Sequence, residues 1–260
     1  MRVITTNQLS YGVAVLVILP PSETKSDGGN GAPLDLDTLS LTELNPIRKR
    51  LGEAIVDLAA DLDASRTALG LGATQLGEIE RNADLWLSPT RPAIERYTGV
   101  LYDALDHASL TKAGKAKAAD RLAIGSALFG VVRAPDRIPA YRLSGGSKLP
   151  GMPTLASIWK PALSPALDAL DDFVVDLRSG VYHQLGPVRA AVTATVMTEQ
   201  PDGSRTVVSH FNKHYKGLMA RALVRTRRTL RDVNGLAAVL TDAGQRVEIV
   251  DDHRIVVLTD

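Results

Sequence analysis

The densest group of side chains that could bind an anion lies near the middle of the chain, between residues 128 and 142. Three arginines fall within ten positions, with a single carboxylate among them: Arg133, Asp136, Arg137 and Arg142. Arginine is a permanently charged planar fork that suits phosphate or carboxylate groups. Gly130 permits a tight turn, and Pro135 and Pro139 prevent a helix. The segment therefore predicts a rigid loop whose arginines meet either an anionic ligand or, alternatively, solvent and ion-pair partners.

Other polar side chains follow two predicted strands. The apolar run Val13 to Leu19 predicts a buried strand, and Ser22 and Lys25 come shortly after it. Phe173 to Leu177 predicts a second strand, which leads into a polar loop containing Tyr182. Open α/β sheets place their ligands at the carboxyl ends of their strands. Both loops are therefore candidates for anion contact, the alternative being ordinary exits from strands.

Charge is unevenly distributed along the chain. Residues 34–63 carry seven acids and three bases, whereas residues 203–231 carry eight bases and no acid. A helical projection of Asn212 to Arg231 separates an apolar side from an arc that includes Lys213, Lys216 and Arg221. We expect this helix to pack through its apolar side and to present the basic arc to phosphate. A solvated face and an interfacial membrane helix are the alternatives.

Composition bounds the remaining possibilities. The 260 residues, 45% hydrophobic and 23% charged, suit one large globular domain or two small ones. The net charge of +1 carries no overall signal for nucleic acid, and the absence of cysteine excludes disulfides and thiolate metal sites. The apolar run near the N-terminus is far shorter than the roughly 20 residues that span a bilayer, so we predict neither a signal peptide nor a membrane segment.

The histidines do not predict a metal site. The chain has five, and only His210 and His214 have a spacing compatible with one helix face. No carboxylate lies near that pair in sequence, so the two-histidine, one-carboxylate pattern of iron sites is not visible. We therefore expect no metal ligand set and no cofactor.

The first half of the chain has helical periodicity. Apolar residues recur every three or four positions between residues 34 and 69, and a glycine-containing stretch then leads to a second short helix ending near Asn82. This pattern matches a helix-hairpin-helix, whose hairpin amides can bind DNA phosphate. It equally matches an ordinary helical hairpin. In the second half, β-branched runs at 190–197 and 205–211 predict a β-hairpin, and two further strands are predicted at 245–250 and 254–258.

Five separated segments agree, in order and spacing, with the pattern of one family. They are residues 16–25 (LVILPPSETK), 97–102 (YTGVLY), 127–143 (ALFGVVRAPDRIPAYRL), 175–182 (VDLRSGVY) and 213–221 (KHYKGLMAR), with Trp159 following the third. These segments resemble the YaaA family of bacterial peroxide stress proteins. Three departures stand out: Lys25 comes one place later than the family's lysine, Gly180 replaces an acid, and Lys216 replaces an arginine.

The resemblance implies a mixed α/β fold of the family's own topology: one domain over residues 14–260, with a mixed sheet surrounded by helices and a helix-hairpin-helix-like element. Residues 1–13 would be an N-terminal extension. It also implies a cytosolic role in resisting hydrogen peroxide, associated with low unincorporated iron, and a positively charged cleft that binds duplex DNA. In that cleft we expect Arg133 and Arg142, with Arg137 at the periphery.

Two functions follow as hypotheses. The first is a DNA-binding protein of the peroxide stress response. Its expected anion contacts are Ser22, Lys25, Arg133, Tyr141, Arg142, Lys148, Lys213, Lys216 and Arg221. The second is an enzyme acting on a nucleotide or another phosphorylated small molecule in the same cleft, with acid–base chemistry supplied by Glu23, Asp136, Tyr141 or Tyr182. Neither hypothesis identifies a substrate or an oligomeric state.

Overall fold

The fold was determined from a computed structural model that describes residues 15–72, 74–208 and 212–259. Ten strands occur in the described part of the chain: β1 Val15–Leu19, β2 Arg91–Pro92, β3 Leu122–Ser126, β4 Gly130–Arg133, β5 Arg137–Ile138, β6 Phe173–Asp176, β7 Val192–Glu199, β8 Arg205–Val207, β9 Arg246–Asp251 and β10 Arg254–Thr259. Ten α-helices accompany them: α1 Asn45–Leu58, α2 Leu62–Leu69, α3 Gly77–Ala83, α4 Ala93–Arg96, α5 Val100–Leu105, α6 Lys112–Arg121, α7 Leu155–Asp168, α8 Gly180–Gln184, α9 Asn212–Arg225 and α10 Val233–Asp242. Short 3-10 helices lie at Leu36–Thr38, Thr42–Leu44 and His107–Ser109.

An eight-stranded mixed sheet forms the centre of the molecule. Its order is β4-β3-β1-β6-β7-β10-β9, and β8 pairs with β7. The strands β3, β1, β6, β7 and β10 run parallel, while β4, β8 and β9 are antiparallel to their neighbours. All five residues of β1 are buried, as expected for a parallel strand covered on both faces. The predicted mixed α/β fold is confirmed.

Parallel pairing brings three strand ends to one side of the sheet. Leu19 of β1 lies opposite Ile124 of β3, and Ile18 lies opposite Asp176 of β6. We call this side, where β1, β3 and β6 end, the carboxyl edge. The loops that leave it are the Pro20–Lys25 stretch, the β3–β4 turn and the segment from Leu177 into α8.

The central arginine-rich segment is more regular than a loop. It contributes β4, paired antiparallel to β3, and β5, paired to β2. Gly130 begins β4 with φ +74°, and a Cβ there would lie 2.8 Å from the Trp159 ring. Buried Arg48 of α1 donates to the Phe129 carbonyl at 3.1 Å and the Val131 carbonyl at 3.0 Å. A buried guanidinium, rather than proline alone, therefore holds this segment rigid.

Several helix boundaries differ from the predictions. The periodic region 34–69 is divided, because Asp61 caps the start of α2 by accepting a hydrogen bond from the Ala64 amide. The basic helix ends at Arg225 rather than Arg231. At this end, Arg121 donates to the Leu223 carbonyl and Lys117 donates to the Thr226 carbonyl. Helix α10 had no sequence prediction. The hairpin of β7 and β8 and the strands β6, β9 and β10 are confirmed.

Two predicted features, the helix-hairpin-helix and the N-terminal extension, stay predictions. Helices α2 and α3 are joined by a turn in which Gly70 adopts a left-handed conformation and caps α2. A phosphate-binding helix-hairpin-helix stays a prediction there, and Ala73 of the turn lies outside the described residues. The expected extension 1–13 also lies outside them, and the domain boundary at 14 stays a prediction. No helix among the described residues is long and apolar enough to cross a membrane.

Helices α5 and α9 pack unusually closely at a glycine. A Cβ on Gly217 would lie 2.2 Å from the Leu101 carbonyl oxygen and 2.7 Å from the Ala104 Cβ. Both neighbours belong to α5, and one is backbone, so neither can move aside easily. Gly217 is therefore required for the position of α9 beside the sheet.

Replacing Gly217 with alanine should destabilise the protein by about 1–3 kcal/mol through overpacking, despite the gain in helix propensity. Urea unfolding at neutral pH measures the change. Gly235→Ala in α10 is the matched control, because its Cβ would meet nothing closer than 3.4 Å. A stability loss no larger than that of Gly235→Ala would contradict the close-packing account.

Candidate functional site at the carboxyl edge

The Pro20–Lys25 loop is fastened to the segment 91–98 beside it. Lys25 forms an isolated β-bridge with Tyr97, and the Ser26 amide donates to the Arg96 carbonyl at 2.8 Å. The Arg96 side chain is fully buried and donates to the Ser26 carbonyl and, at 3.1 Å, to the Ile138 carbonyl. One buried arginine thus joins the loop after β1 to the end of β5.

Lys25 is the most unusual cation of this loop. The residue is only 8% exposed, and its Nζ lies 4.3 Å from the centre of the Tyr141 ring and 5.4 Å from that of Tyr97. The ammonium donates to the carbonyls of Ser22 at 3.2 Å and Glu23 at 3.4 Å. Burial lowers the pKa of Lys25 to about 8, and the Glu23 carboxylate opposes this shift only in part. Lys25 is therefore an amine that can be partly neutral near physiological pH.

Three buried hydroxyl groups form a chain beneath this lysine. The Tyr97 and Tyr141 oxygens are 2.8 Å apart, and Tyr141 lies 2.7 Å from Ser126 Oγ at the end of β3. Ser126 Oγ also accepts a hydrogen bond from the Phe129 amide at 2.9 Å. Burial raises the pKa of Tyr97 to about 12 and that of Tyr141 well above its usual value. The phenols thus stay protonated and can relay hydrogen bonds at neutral pH.

Arg142 borders the same cluster. Its Nη1 lies 2.7 Å from the Glu23 carboxylate, while its buried Nε has no hydrogen-bond partner among the described residues. The backbone of Arg142 is held on both sides by Asn82, whose amide accepts from the Arg142 N–H at 2.8 Å and donates to the Arg142 carbonyl at 2.9 Å. Nearby, the Tyr182 hydroxyl accepts from the Gly145 amide at 3.1 Å. Burial raises the pKa of Tyr182 above its usual range.

A second polar cluster is centred on the end of β6. Asp176 receives two side-chain hydrogen bonds from buried Arg178, at 2.8 and 2.7 Å, and faces His183 Nδ1 at 2.9 Å. Together these hydrogen bonds hold the pKa of Asp176 well below its usual range, against the effect of burial. Burial lowers the pKa of Lys216 in α9, and the Asp176 carboxylate is near enough to oppose that shift electrostatically. The second cluster is thus a structural ion pair that also orients a half-exposed histidine.

Five of the nine predicted anion contacts come together. The loop after β1 carries Ser22 and Lys25, and the side chains of Tyr141 and Arg142 lie against it. Beside this loop, Ser22 and Lys213 line a depression of about 220 Å³. Lys216 lies at the neighbouring Asp176 cluster. Its burial differs from the sequence prediction, which assigned it to an exposed basic arc.

The remaining three predicted contacts lie elsewhere. Arg133 pairs with Ala123 near the start of β3, which is the opposite end of that strand from Ser126, and its guanidinium donates to the Asp120 carbonyl at 3.0 Å. Arg221 caps the end of α5 by donating to the Leu105 carbonyl at 2.7 Å. Lys148 is exposed on the turn after Gly145. The sequence predicts that Arg133 lies with Lys25, but the antiparallel direction of β4 places Arg133 near the other end of β3.

One acid–base candidate has a structural role. The Asp136 carboxylate accepts hydrogen bonds from Ser40 and from the Arg133 amide, so it holds the central segment in place. Arg137 donates to Asn30 and to the Thr90 carbonyl. Its expected place at the periphery of a cleft stays a prediction.

Sequence reasoning missed several residues of the two clusters. Ser126 and Tyr97 complete the hydroxyl chain, and Asp176, Arg178 and His183 form the second cluster. For Asp176, the available signal was its position near the end of the predicted strand Phe173 to Leu177. Ser126 lies at the end of β3, which the sequence analysis did not predict. Among the described residues, no group of three or more histidine or acidic side chains is placed to hold a metal ion. His210, half of the predicted histidine pair, lies outside the described residues.

Comparison with known proteins identifies the family of the chain. A family model described as peroxide stress protein YaaA matches residues 15–245. The chain belongs to the peroxide stress protein YaaA family. A UPF0246 protein of Corynebacterium efficiens is 50% identical over 245 residues, covering 92% of this chain and 97% of the relative. A UPF0246 protein of Streptomyces coelicolor is 44% identical over 240 residues, covering 90% and 92%. The resemblance predicted from five short segments is confirmed.

Asp176→Asn should lower the free energy of unfolding at pH 7 by about 3–5 kcal/mol, because it leaves the buried Arg178 guanidinium without its counter-charge. The folded pKa of Asp176 is depressed, so its contribution is complete above the unfolded pKa of about 3.9 and is lost as pH falls below it. Urea unfolding at pH 7 and pH 3 measures both effects. Asp242→Asn, which breaks the exposed pair with Arg228, is the control and should change stability by less than about 1 kcal/mol. Equal stability of wild type and Asp176→Asn at pH 7 would exclude a stabilising pair.

Lys25 should make stability rise with pH between 8 and 10. Its pKa is about 8 when folded and 10.5 in the reference state, so the unfolded chain binds more protons in that window. Relative to Lys25→Met, the wild type should gain on the order of 2 kcal/mol from pH 8 to 10. Lys148→Met replaces an exposed lysine and should retain the wild-type pH dependence. Parallel pH profiles of wild type and Lys25→Met would show that burial does not perturb this amine.

Proposed function

We propose that this protein serves in the bacterial response to peroxide stress and that it binds a phosphorylated small molecule, such as a nucleotide, at the carboxyl edge of the sheet. The observation that supports this most is the depression where β1 ends, which Lys213 and residues of the Pro20–Lys25 loop line, with Arg142 joined to the same loop through Glu23. Strand ends of open α/β sheets are common ligand sites. The proposal places the protein in the cytoplasm, where nucleotides occur.

The size and enclosure of the site favour a small ligand. The depression beside Ser22 and Lys213 has a volume of about 220 Å³, and the Arg142 side chain is only 14% exposed. A phosphate group with part of an attached sugar suits such a space. The hydroxyl groups of Ser22, Thr24 and Thr98 around it can donate to phosphate oxygens, and Arg142 and Lys213 can supply charge.

The basic run of residues 203–231 contributes less positive surface than its composition suggests. Arg205 is paired with Glu199 and Glu248, and Arg228 is paired with Asp242. Lys216 is buried, and Arg221 caps α5. These partners reduce the charge that is available to a long polyanion.

An enzymatic role for the site has a specific basis in its titratable groups. Lys25 has a pKa of about 8 and can therefore act as a base or nucleophile at neutral pH. Glu23, by contrast, is ion-paired with Arg142. The phenols of Tyr141 and Tyr182 have raised pKa values, so they are suited to donating hydrogen bonds rather than to accepting protons.

Duplex DNA is the second candidate ligand, and two exposed lysines favour it. Lys213 lies at the mouth of the depression, and Lys148 lies on the turn that contacts Tyr182 through Gly145. The two side chains thus belong to different elements that flank the carboxyl edge. A phosphate backbone crossing this edge could contact both.

Calorimetric titration with nucleoside mono- and triphosphates tests the primary proposal. We expect binding to wild type and at least tenfold weaker binding to Arg142→Gln, because charge-assisted hydrogen bonds contribute about 1.5–3 kcal/mol. Arg133→Gln is the matched control, since it changes an arginine of the same segment at the opposite end of β3. Equal losses in both variants, or no binding to wild type, would contradict the proposal.

A 20-base-pair duplex provides the second arm of the same experiment. If DNA is the ligand, anisotropy should show affinity that falls steeply between 50 and 200 mM salt and is reduced by Lys148→Glu with Lys213→Glu. The control pair Arg133→Glu with Arg254→Glu makes the same charge change away from the carboxyl edge, because Arg133 lies beside the start of β3 and Arg254 begins β10. Duplex binding with this pattern, without nucleotide binding, would replace the primary proposal by the second one.

A further inference from the structure

Lys25 differs from the other lysines of the carboxyl edge in having an enclosed amine that no described carboxylate contacts directly, although Glu23 and Glu78 are near enough to act on it electrostatically. Among the described residues, no carboxylate lies within 4.0 Å of its Nζ, and its hydrogen bonds go to the carbonyls of Ser22 and Glu23 alone. The Glu23 carboxylate is instead engaged with Arg142. Buried ammonium groups are normally paired, because an unpaired buried charge is costly. This environment therefore disfavours the protonated form of the Lys25 amine.

The groups around this amine suit a reaction at nitrogen. The Tyr141 ring lies 4.3 Å from Nζ and forms one wall, and the Tyr97 ring forms a second. Their hydroxyls continue to Ser126 through hydrogen bonds of 2.8 and 2.7 Å. A reactive lysine needs such desolvation, which keeps part of the amine neutral, and it needs nearby hydroxyls that can pass protons. Burial supplies the first condition by lowering the pKa of Lys25 to about 8.

The proposed anion site lies beside the amine. Ser22 both accepts a hydrogen bond from Lys25 through its carbonyl and lines the depression shared with Lys213. Arg142 approaches from the other side through Glu23. A ligand held by these cations would have its uncharged part directed along the loop that carries Lys25.

We propose that Lys25 is a reactive amine that condenses with the carbonyl group of a small aldehyde or ketone bearing a phosphate group. This inference rests on the proposed function for the phosphate group and adds the carbonyl chemistry. Tyr97 and Tyr141 position the amine, and Arg142 and Lys213 select the anionic substituent.

The condensation is balanced without any further reactant. The lone pair of neutral Lys25 forms a C–N bond to the carbonyl carbon, and the C=O π pair moves to oxygen. That oxygen gains one proton from the attacking nitrogen, directly or through a hydroxyl group, which gives a carbinolamine. Loss of the hydroxyl with the second amine proton, as water, forms the C=N bond of the imine. The tyrosine hydroxyls begin and end protonated.

Pyridoxal 5′-phosphate and pyridoxal are matched probes, because they carry the same aldehyde and differ only in the phosphate. The intact wild-type protein would be incubated with each probe at pH 7.5, and imines would be reduced with borohydride and located by peptide mass spectrometry. We expect labelling of Lys25 to exceed that of exposed Lys148 and Lys213 at least tenfold. The pH dependence of labelling at Lys25 should have its midpoint near 8.

Two comparisons make the result decisive. Lys25→Arg keeps a positive charge but cannot form an imine, so the labelled peptide should be lost from a variant that circular dichroism shows to be folded like the wild type. Labelling of Lys25 by both probes equally, without nucleotide binding, would support the reactive amine and refute the phosphate site. Labelling of Lys25 no faster than that of Lys148 would overturn the inference, and nucleotide binding measured separately would then still decide the proposed function.

Discussion

The parallel pairing of β1 with both β3 and β6 is the constraint on which the rest of the structure depends. Because parallel strands end on the same side of a sheet, this pairing brings the Pro20–Lys25 loop, Ser126 and Asp176 together. The strand between them is buried on both faces, so its register cannot slip without exposing apolar side chains. Both polar clusters of the candidate site are attached to these strand ends.

Buried arginines secure the loops that the sheet brings together. Arg48 and Arg96 each donate to several backbone carbonyls in segments distant in sequence, and Arg178 is paired with Asp176. A guanidinium has five donors in a fixed plane, so a single side chain can fasten two or three loop carbonyls at once. This arrangement makes the site rigid, but it also means that many cations of the chain are unavailable to a ligand. Counting arginines in such a protein overstates its capacity for phosphate.

Membership of the peroxide stress protein YaaA family gives the site a physiological setting without specifying its chemistry. The geometry adds two distinct environments at one edge of the sheet. One contains an enclosed amine above a chain of hydroxyls, and the other contains a carboxylate that orients His183. The enclosure of the Lys25 amine is the reason for proposing a small ligand. The exposed side chains of Lys213 and Lys148 are the reason for keeping duplex DNA as the alternative proposal.

The sequence by itself determined the class of fold, most strands and the family. Periodicity located β1, β6 and the β7–β8 hairpin, since apolar alternation and turn residues act locally. Five short segments were enough to indicate the family. The sequence also grouped Ser22, Lys25, Tyr141 and Arg142, which belong to those segments, and the fold places these four side chains near one another.

Only the tertiary structure decided which charges face one another. Arg133 and Arg142 are nine positions apart in sequence, yet β4 runs antiparallel to β3 and carries Arg133 to the far end of that strand. The helical projection of α9 placed Lys216 and Arg221 on an exposed arc, but Lys216 is buried in the fold and Arg221 caps the end of α5. Burial and partner choice depend on elements distant in sequence. No local sequence pattern contains that information. The lowered pKa of Lys25 and the hydrogen-bonded hydroxyls near it could therefore be found only from the tertiary structure.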